Sequence, residues 1–399
     1  MGTNFNAKYQ RIFFLVLDSV GIGAMPDAEK FGDEEGAHTL AHIAESVGGL
    51  KLPNLEKMGL GNISPISGIT PVHKTTAAYG KLSELSNGKD TTTGHWEMAG
   101  LLTEKPFPTY FHGFPEDFME RFVHESNIPG FLGNIAASGT EIIKKLGDEH
   151  IRTGKPIVYT SSDSVFQIAC HEEHFGLARL YELCEVARKL CDEINIARVI
   201  ARPFTGTSGN FTRTGNRKDY SIALPDEIMM EKLLAAGLDS ISIGKVASIY
   251  SEKGFNKKIK ASNNRAIFDA VLAEAEKDFH GLVFANLVDF DMLYGHRRNP
   301  EGYAKELCWF DAALPSLLQK MKEGDLLLLS ADHGNDPTAH GSDHTREYVP
   351  IIAYSKSTEK NGGANLGTRK SFADIGQTIL EAFGISQKLK IGTSFLSSL

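Results

Sequence analysis

The sequence has no long apolar run. Stretches such as Phe13–Leu17 and Leu326–Leu329 are strand-sized, far short of the roughly 18 residues of a membrane-spanning helix. Its first ten residues, Met1–Gln10, are polar and lack the apolar core of a signal segment. Gly2 opens no myristoylation motif, because Asn6 stands where Ser or Thr is needed. There is no excess of basic residues either: 42 Lys+Arg against 50 Asp+Glu leave a net charge of −8. That balance argues against a general nucleic-acid binder, which needs a cationic face. Cysteine is scarce, with Cys170, Cys184, Cys191 and Cys308 forming no CxxC pair. Cys184 and Cys191 are seven apart, on one face of an expected helix, and read as core thiols in a reducing cytosol. The expectation is a cytoplasmic protein with no membrane and no nucleic-acid partner.

What is present is length, periodicity and histidine. The 399 residues suggest two or three domains, and their positions must decide whether the 14 histidines matter. Arg11–Leu17 is β-rich and apolar on consecutive positions, as in a strand buried on both faces. It runs into Asp18 and a Gly-rich turn, like the ligand-gathering edge of a parallel sheet. A helix is expected at 37–47. Residues 51–95, rich in Gly, Pro, Ser and Thr, read as a long irregular region. From about 225 helices and strands alternate regularly, with strands at 239–243, 282–288, 325–330 and 349–354. Such alternation predicts a mostly parallel sheet with helices on both faces. The texture differs from about 104, where aromatics and prolines crowd 106–131. Helices then follow at 139–147 and 176–192, with strands at 156–160 and 198–204. The reading is a discontinuous α/β core, 1–103 and 224–399, with 104–223 inserted as a cap.

Three acidic clusters each follow an apolar strand. They are Asp18, then Asp289 and Asp291 with His296, then Asp332 and His333 with Asp343 and His344 close behind. Parallel strands would bring these ends to one sheet edge, where carboxylates repel unless cations neutralise them. About three Asp and three His without Cys suit two transition ions such as Mn²⁺ or Zn²⁺ better than calcium. Two such ions can hold both oxygens of a phosphoryl transfer.

Gly88-Lys89-Asp90-Thr91-Thr92-Thr93-Gly94-His95-Trp96-Glu97 lies in the irregular region. It is not a P-loop, because Asp90 follows Lys89 and Ser83 stands where the first Gly belongs. Its three adjacent hydroxyls offer a covalent nucleophile if a base or metal lowers the hydroxyl pKa. An ST-turn or helix N-cap is the structural alternative.

Taken together, DSVGIG (18–23), GKDTxTGHWE (88–97), ASGTEI (137–142), YTSxDSV (159–165), GNFTRT (209–214), NLVDFD…GHRR (286–298), ADHGNDP (331–337) and DHTREYVP (343–350) resemble the phosphopentomutases. That family belongs to the alkaline phosphatase superfamily. ADHG and DxxxxGH are shared across the superfamily, whereas GKDTxTGHWE and GNFTRT narrow the match.

The resemblance implies an alkaline phosphatase-like α/β core with an inserted α+β cap. It implies that Thr91 is the phosphorylated nucleophile. Asp18, Asp332 and His333 would hold one Mn²⁺, and Asp291, His296 and His344 a second, with Asp289 in support. Ser161, Asp163, Val165, Arg198 and Ile200 would surround the pentose and its phosphate, while Arg213 and Lys245 would bind phosphate. The implied activity interconverts ribose 1-phosphate and ribose 5-phosphate, and the 2-deoxyribose pair, through a pentose 1,5-bisphosphate. A sugar bisphosphate such as glucose 1,6-bisphosphate or ribose 1,5-bisphosphate would act as activator, and the partners would be small pentose phosphates bound by a monomer. Within the superfamily the alternatives are a cofactor-independent phosphoglycerate mutase and a phosphatase. His171, Glu172 and Glu173 read as structural, His340 as no ligand, and His95 as a support of the nucleophile segment.

Overall fold

A computed structural model describes residues 7–33, 36–161 and 163–399. Gly2 and Asn6, on which the lipidation reading rests, lie outside the described residues. The chain divides into two units, one of Met1–Lys105 and Pro225–Leu399, the other of Pro106–Leu224.

The core is organised around β1 (Arg11–Leu17), all seven residues of which are buried. Its other strands are β2 (Ala78–Leu82), then, beyond the six strands of the cap (β3–β8), β9 (Asp239–Ile243), β10 (Lys257–Ile259), β11 (Gly281–Leu287), β12 (Asp325–Ser330), β13 (Val349–Tyr354) and β14 (Asn365–Arg369). The sheet order is β10-β9-β11-β1-β12-β13-β2-β14. The first five strands are parallel, and helices cover both faces. β11, β1 and β12 are buried at every position and apolar except at Arg11, Asn286, Asp325 and Ser330, as in strands covered on both faces. Register fixes where they end: Leu17 pairs with Leu287, and Val16 with Ser330. Asp18, Asp289 and Asp332 therefore leave the sheet at one edge.

The mostly parallel sheet expected from the sequence is present, with β13 and β2 as its exceptions. β13 runs antiparallel to β12, and β2 antiparallel to β13. The chain returns from β12 through the loop 331–348 without a crossover helix, and a direct return reverses the strand. One expectation needs correction: the 51–95 stretch is not irregular. It holds helices Pro53–Met58 and Leu60–Ile63, β2 inside the core sheet, and the start of helix Thr91–Met98. Its alternating burial in β2 was masked by Gly80 and by short element lengths.

The cap contains β3 (Leu132–Ala136), β4 (Ile157–Thr160), β5 (Val165–His171), β6 (Arg198–Thr207), β7 (Asn210–Arg213) and β8 (Lys218–Ser221). Its order is β3-β4-β5-β6-β7, with β8 on β6. Residues alternate between faces. Phe166, Ile168, Val199 and Ala201 pack with Leu180, Leu183, Cys184 and Cys191 of helix Leu177–Glu193. Ile157, Tyr159, Ala169 and Phe204 pack with Ile142 and Ile143 of helix Gly139–Thr153. Cys184 and Cys191 are thus core thiols, and all four cysteines are free. The 205–219 stretch forms a hairpin in which Thr207 pairs with Asn210. Gly209 supplies the positive φ of 78° that a two-residue hairpin turn favours.

Candidate active site and metal centre

The core sheet edge concentrates carboxylates. Asp18, Asp291 and Asp332 are all buried, as are His333 and His344. Donor atoms of Asp18, Asp332 and His333 lie within 4.8 Å of one another, and so do those of Asp291, His333 and His344. His296 joins them, with Nε2 3.1 Å from Asp291 Oδ2 and its ring 4.7 Å from that of His344.

Neighbouring groups aim these side chains. His333 Nδ1 lies 3.0 Å from the Gly334 carbonyl and His296 Nδ1 2.7 Å from the Ser342 carbonyl. A ring nitrogen that donates to a carbonyl leaves Nε2 with a free lone pair, the form that binds a metal. Asn286 donates to Asp18 Oδ2 at 2.8 Å, and Asn335 to Asp291 Oδ1 at 2.7 Å. Ser19 N donates to Asp332 Oδ1 at 3.0 Å. Ser19 does so from φ 68°, a left-handed conformation that a serine adopts at a cost. Its hydroxyl is 3.0 Å from the Tyr303 hydroxyl, which helps to hold the bend.

Two carboxylate oxygens, Asp18 Oδ1 and Asp332 Oδ2, are buried and make no hydrogen bond. Burial, reinforced by Asp332 and Asp291, holds the Asp18 carboxyl well above the usual range. Burial also raises Asp291, but His296 and His344 more than offset it and leave that carboxyl well below the ordinary value. Buried oxygens without donors, facing imidazole lone pairs, fit a divalent metal and little else. Asp289 is partly engaged otherwise: its Oδ2 accepts from Asn264 N at 2.8 Å and its own N donates to Asn264 Oδ1 at 2.9 Å, while its Oδ1 is likewise buried without a hydrogen bond.

Thr91 opens helix Thr91–Met98, which corrects the loop placement of this segment. Asp90 is the N-cap, accepting from Thr92 N at 3.0 Å and Thr93 N at 3.2 Å. The Thr93 hydroxyl also donates to Asp90, at 2.6 Å. The Thr91 hydroxyl instead lies 3.2 Å from His333 Nε2. Gly94 lies against the Asp332 carbonyl, where any Cβ would collide. His95 is fully buried, with Nδ1 2.9 Å from the Thr91 carbonyl and 3.2 Å from Asp332 Oδ2.

Apart from His95, the supports of this segment were not legible beforehand. Glu97 accepts from Leu85 N, Ser86 N, Ser371 Oγ and Phe372 N at 2.6–3.0 Å. Arg346 reaches Glu84 at 2.6 Å and also donates to the Ser86 and Gly88 carbonyls. Lys89 bridges Asp33 at 3.1 Å and Asp343 at 3.3 Å. Only the motif membership of Glu97 and Arg346 hinted at such roles. Lys245 follows β9, its Nζ 4.0 Å from Met292 Sδ.

In the cap, the Ser161 hydroxyl accepts from Asp163 N at 3.3 Å, and Asp163 pairs with Arg198 at 3.2 Å. Val165 pairs with Arg198 and Ile200 with Gln167 across β5 and β6, which gathers these residues on one sheet end. Arg213 on β7 donates to the Thr140 hydroxyl. His171 accepts from Glu173 N and His174 N at 3.2 and 3.4 Å and so caps the turn after β5. His340 belongs to no candidate donor group among the described residues.

Fold and donor set define a class, and residues 10–387 match the model of the metalloenzyme superfamily, to which the chain belongs. Within that superfamily it is a member of the phosphopentomutase family. It is 52% identical over 387 residues to the phosphopentomutase of Carboxydothermus hydrogenoformans, covering 97% of this chain and 98% of that one. It is 51% identical over 383 residues to that of Symbiobacterium thermophilum, covering 96% of each. In fold it resembles a Leishmania mexicana phosphoglycerate mutase, with a TM-score of 0.50 at 10% identity over 98% of each chain.

Proposed function

We propose that the protein interconverts ribose 1-phosphate and ribose 5-phosphate, and their 2-deoxy counterparts, through a phosphothreonine at Thr91. The observation that carries this is the Thr91 hydroxyl, 3.2 Å from His333 Nε2 at the edge of the buried carboxylate–imidazole cluster. Asp18, Asp332 and His333 would hold one divalent ion, and Asp291, His296 and His344 a second; Mn²⁺ suits the mixed oxygen and nitrogen donors. Such ions supply Lewis-acid stabilisation of the phosphoryl oxygens.

The residues of the chain do the rest. Phospho-Thr91 presents its phosphoryl group from a helix N-terminus, which favours an anion. The free hydroxyl of a pentose monophosphate attacks. The P–O bond to Thr91 breaks, a P–O bond to the sugar forms, and the proton lost by the sugar hydroxyl is balanced by one gained at the Thr91 oxygen. The product is a pentose 1,5-bisphosphate, whose other phosphoryl group then returns to Thr91. Ser161, Asp163, Val165, Arg198 and Ile200 would position the pentose, and Arg213 and Lys245 would bind its phosphate through charge-assisted hydrogen bonds. His95 fixes the Thr91 backbone and Asp332 together. A sugar bisphosphate would re-phosphorylate Thr91 after hydrolysis. Four free thiols fit a reducing compartment.

Incubation with ribose 1-phosphate should yield ribose 5-phosphate rather than free phosphate. Thr91→Ala should lower kcat by about a thousandfold or more and abolish the mass gain after bisphosphate treatment, whereas Thr92→Ala should keep both. Full activity in Thr91→Ala would sink the assignment.

A further inference from the structure

The GHRR motif marks the family resemblance, yet its last residue, Arg298, carries no role in the site above. The segment that it meets cannot hold itself. Residues 340–343 are exposed and lie in no helix or strand, and among the described residues they make no backbone–backbone hydrogen bond. A stretch of that kind has low local stability unless something outside it holds it. This one leads directly into His344, and it supplies the Ser342 carbonyl that lies 2.7 Å from His296 Nδ1. Two imidazoles of the donor cluster therefore depend on where it sits.

Arg298 supplies the hold. Its Nε donates to the Gly341 carbonyl and its Nη2 to the Asp343 carbonyl at 3.0 Å, one on either side of Ser342. Its Nη1 donates to Asn335 Oδ1 at 2.6 Å, to the Asp336 carbonyl at 2.8 Å and, at 3.3 Å, to the Gly295 carbonyl. Gly295 directly precedes His296. Asn335 in turn donates to Asp291 Oδ1 at 2.7 Å. One planar guanidinium thus ties the helical turn Phe290–Gly295, which runs into His296, to the loop that runs into His344. Every acceptor is a neutral carbonyl oxygen, and only a rigid fork of five N–H donors can meet so many at once. Lys89 also reaches this loop, but through the Asp343 carboxylate, which leaves the Gly341 and Ser342 backbone to Arg298 and His296. Arg298 stands at φ 50°, a left-handed conformation that a non-glycine residue adopts at a cost. The five contacts offset that cost.

The geometry points to Arg298 as a positioning residue that straps loop 336–343 to the turn before His296 and so sets His296 and His344 for the second divalent ion. That ion rests on the proposed function; the strap is built by the chain alone.

Titration of Mn²⁺ into the metal-free full chain, with bound metal counted by elemental analysis, tests this. The wild type should take up two ions. Arg298→Met should weaken one of them by about 10–100-fold and leave the other within about twofold. Arg298→Gly should do the same, and it decides the matter if Arg298→Met fails to fold, because glycine adopts φ 50° without strain. Arg297→Met removes the same charge from the adjacent exposed side chain and should leave both ions within about twofold. Hydrogen exchange in the metal-free Arg298 variants should rise at residues 340–344 and stay unchanged in β1 and β12. Excess Mn²⁺ should restore kcat in Arg298→Met at an unchanged KM, which a general loss of structure would not allow. A wild type that takes up fewer than two ions, wild-type affinity in both Arg298 variants, equal losses at both ions or an equal loss in Arg297→Met each overturns the assignment. A wild type that holds two ions and shows these selective losses, yet forms no ribose 5-phosphate, refutes the proposed function and leaves the role of Arg298 standing.

Discussion

The core and the cap gather opposite charge by different means. At the core, three parallel strands in register deliver Asp18, Asp291 and Asp332 to one edge, and every one of these carboxylates is buried. In the cap, β6 and its neighbours carry Arg198, Arg202 and Arg213 on one sheet face, where Arg198 keeps 24% of its side chain exposed. On the proposed function, the difference follows from the partner each would receive. Buried carboxylates are tolerable only beside fixed cations, so their neighbours must hold them rigidly. A guanidinium stays charged in either setting and gains from a ligand that arrives later. The core should therefore respond to substitution in stability and metal affinity, the cap in ligand affinity.

The largest effect should come from Arg346→Met. It would leave Glu84, 2.6 Å away and buried to the same degree, without its counter-ion, at a cost of about 3–5 kcal/mol. Denaturant unfolding measures this; a loss below about 1 kcal/mol would mean that the nucleophile segment does not depend on its buried cation. Next comes His95→Ala, which removes the imidazole lying 3.2 Å from Asp332 Oδ2 and 2.9 Å from the Thr91 carbonyl. Metal affinity should fall by about 10–100-fold in a competition titration, with the fold intact.

Glu347 gives a smaller effect with a definite sign. Burial pushes its carboxyl from 4.5 to about 6, although Thr39, Gly23 and Thr345 donate to it. The folded state thus holds the proton more tightly than the unfolded chain. The stabilising contribution is present in full below pH 4.5 and fades as pH rises to about 6, a span of roughly 2 kcal/mol. Glu347→Gln should flatten the pH dependence of stability in that window. The smallest change in stability should be that of Arg198→Gln, whose partner Asp163 is 30% exposed. Its melting temperature should stay within about 2 °C, while KM rises about tenfold. If stability fell and KM did not, the contrast between core and cap would fail.

Much of the core could be read in advance because its signals are local. β1, β11 and β12 each carry a run of consecutive apolar residues, and each is followed within two residues by an Asp, at 18, 289 and 332. Parallel pairing alone then implies a shared edge. β2 escaped notice because Ala78–Leu82 is five residues long and contains Gly80. In the cap, Val165–His171 is a fully buried strand with Gln167 and His171 inside it, and those polar residues hid it. Gln167 is satisfied by Arg202 and His171 by the turn that it caps, partners supplied from elsewhere in the chain.

The nucleophile segment marks the boundary between the two kinds of knowledge. Three adjacent threonines were plain in the sequence, and so was an acidic residue before them. Which hydroxyl faces the donor cluster depends on helix phase. Asp90 engages the Thr93 hydroxyl, and the Thr91 hydroxyl projects to His333. By itself the sequence determined the residue types, the main core strands and the acidic residues that follow them, since apolar periodicity and charge are written locally. Only the tertiary structure decided that Arg346 and Glu97 brace the segment around Thr91, that His95 lies between the Thr91 carbonyl and Asp332, and that Arg198, Arg202 and Arg213 share one face of the cap sheet. Those contacts join residues from separate elements, and they form only when burial and backbone register bring the elements together.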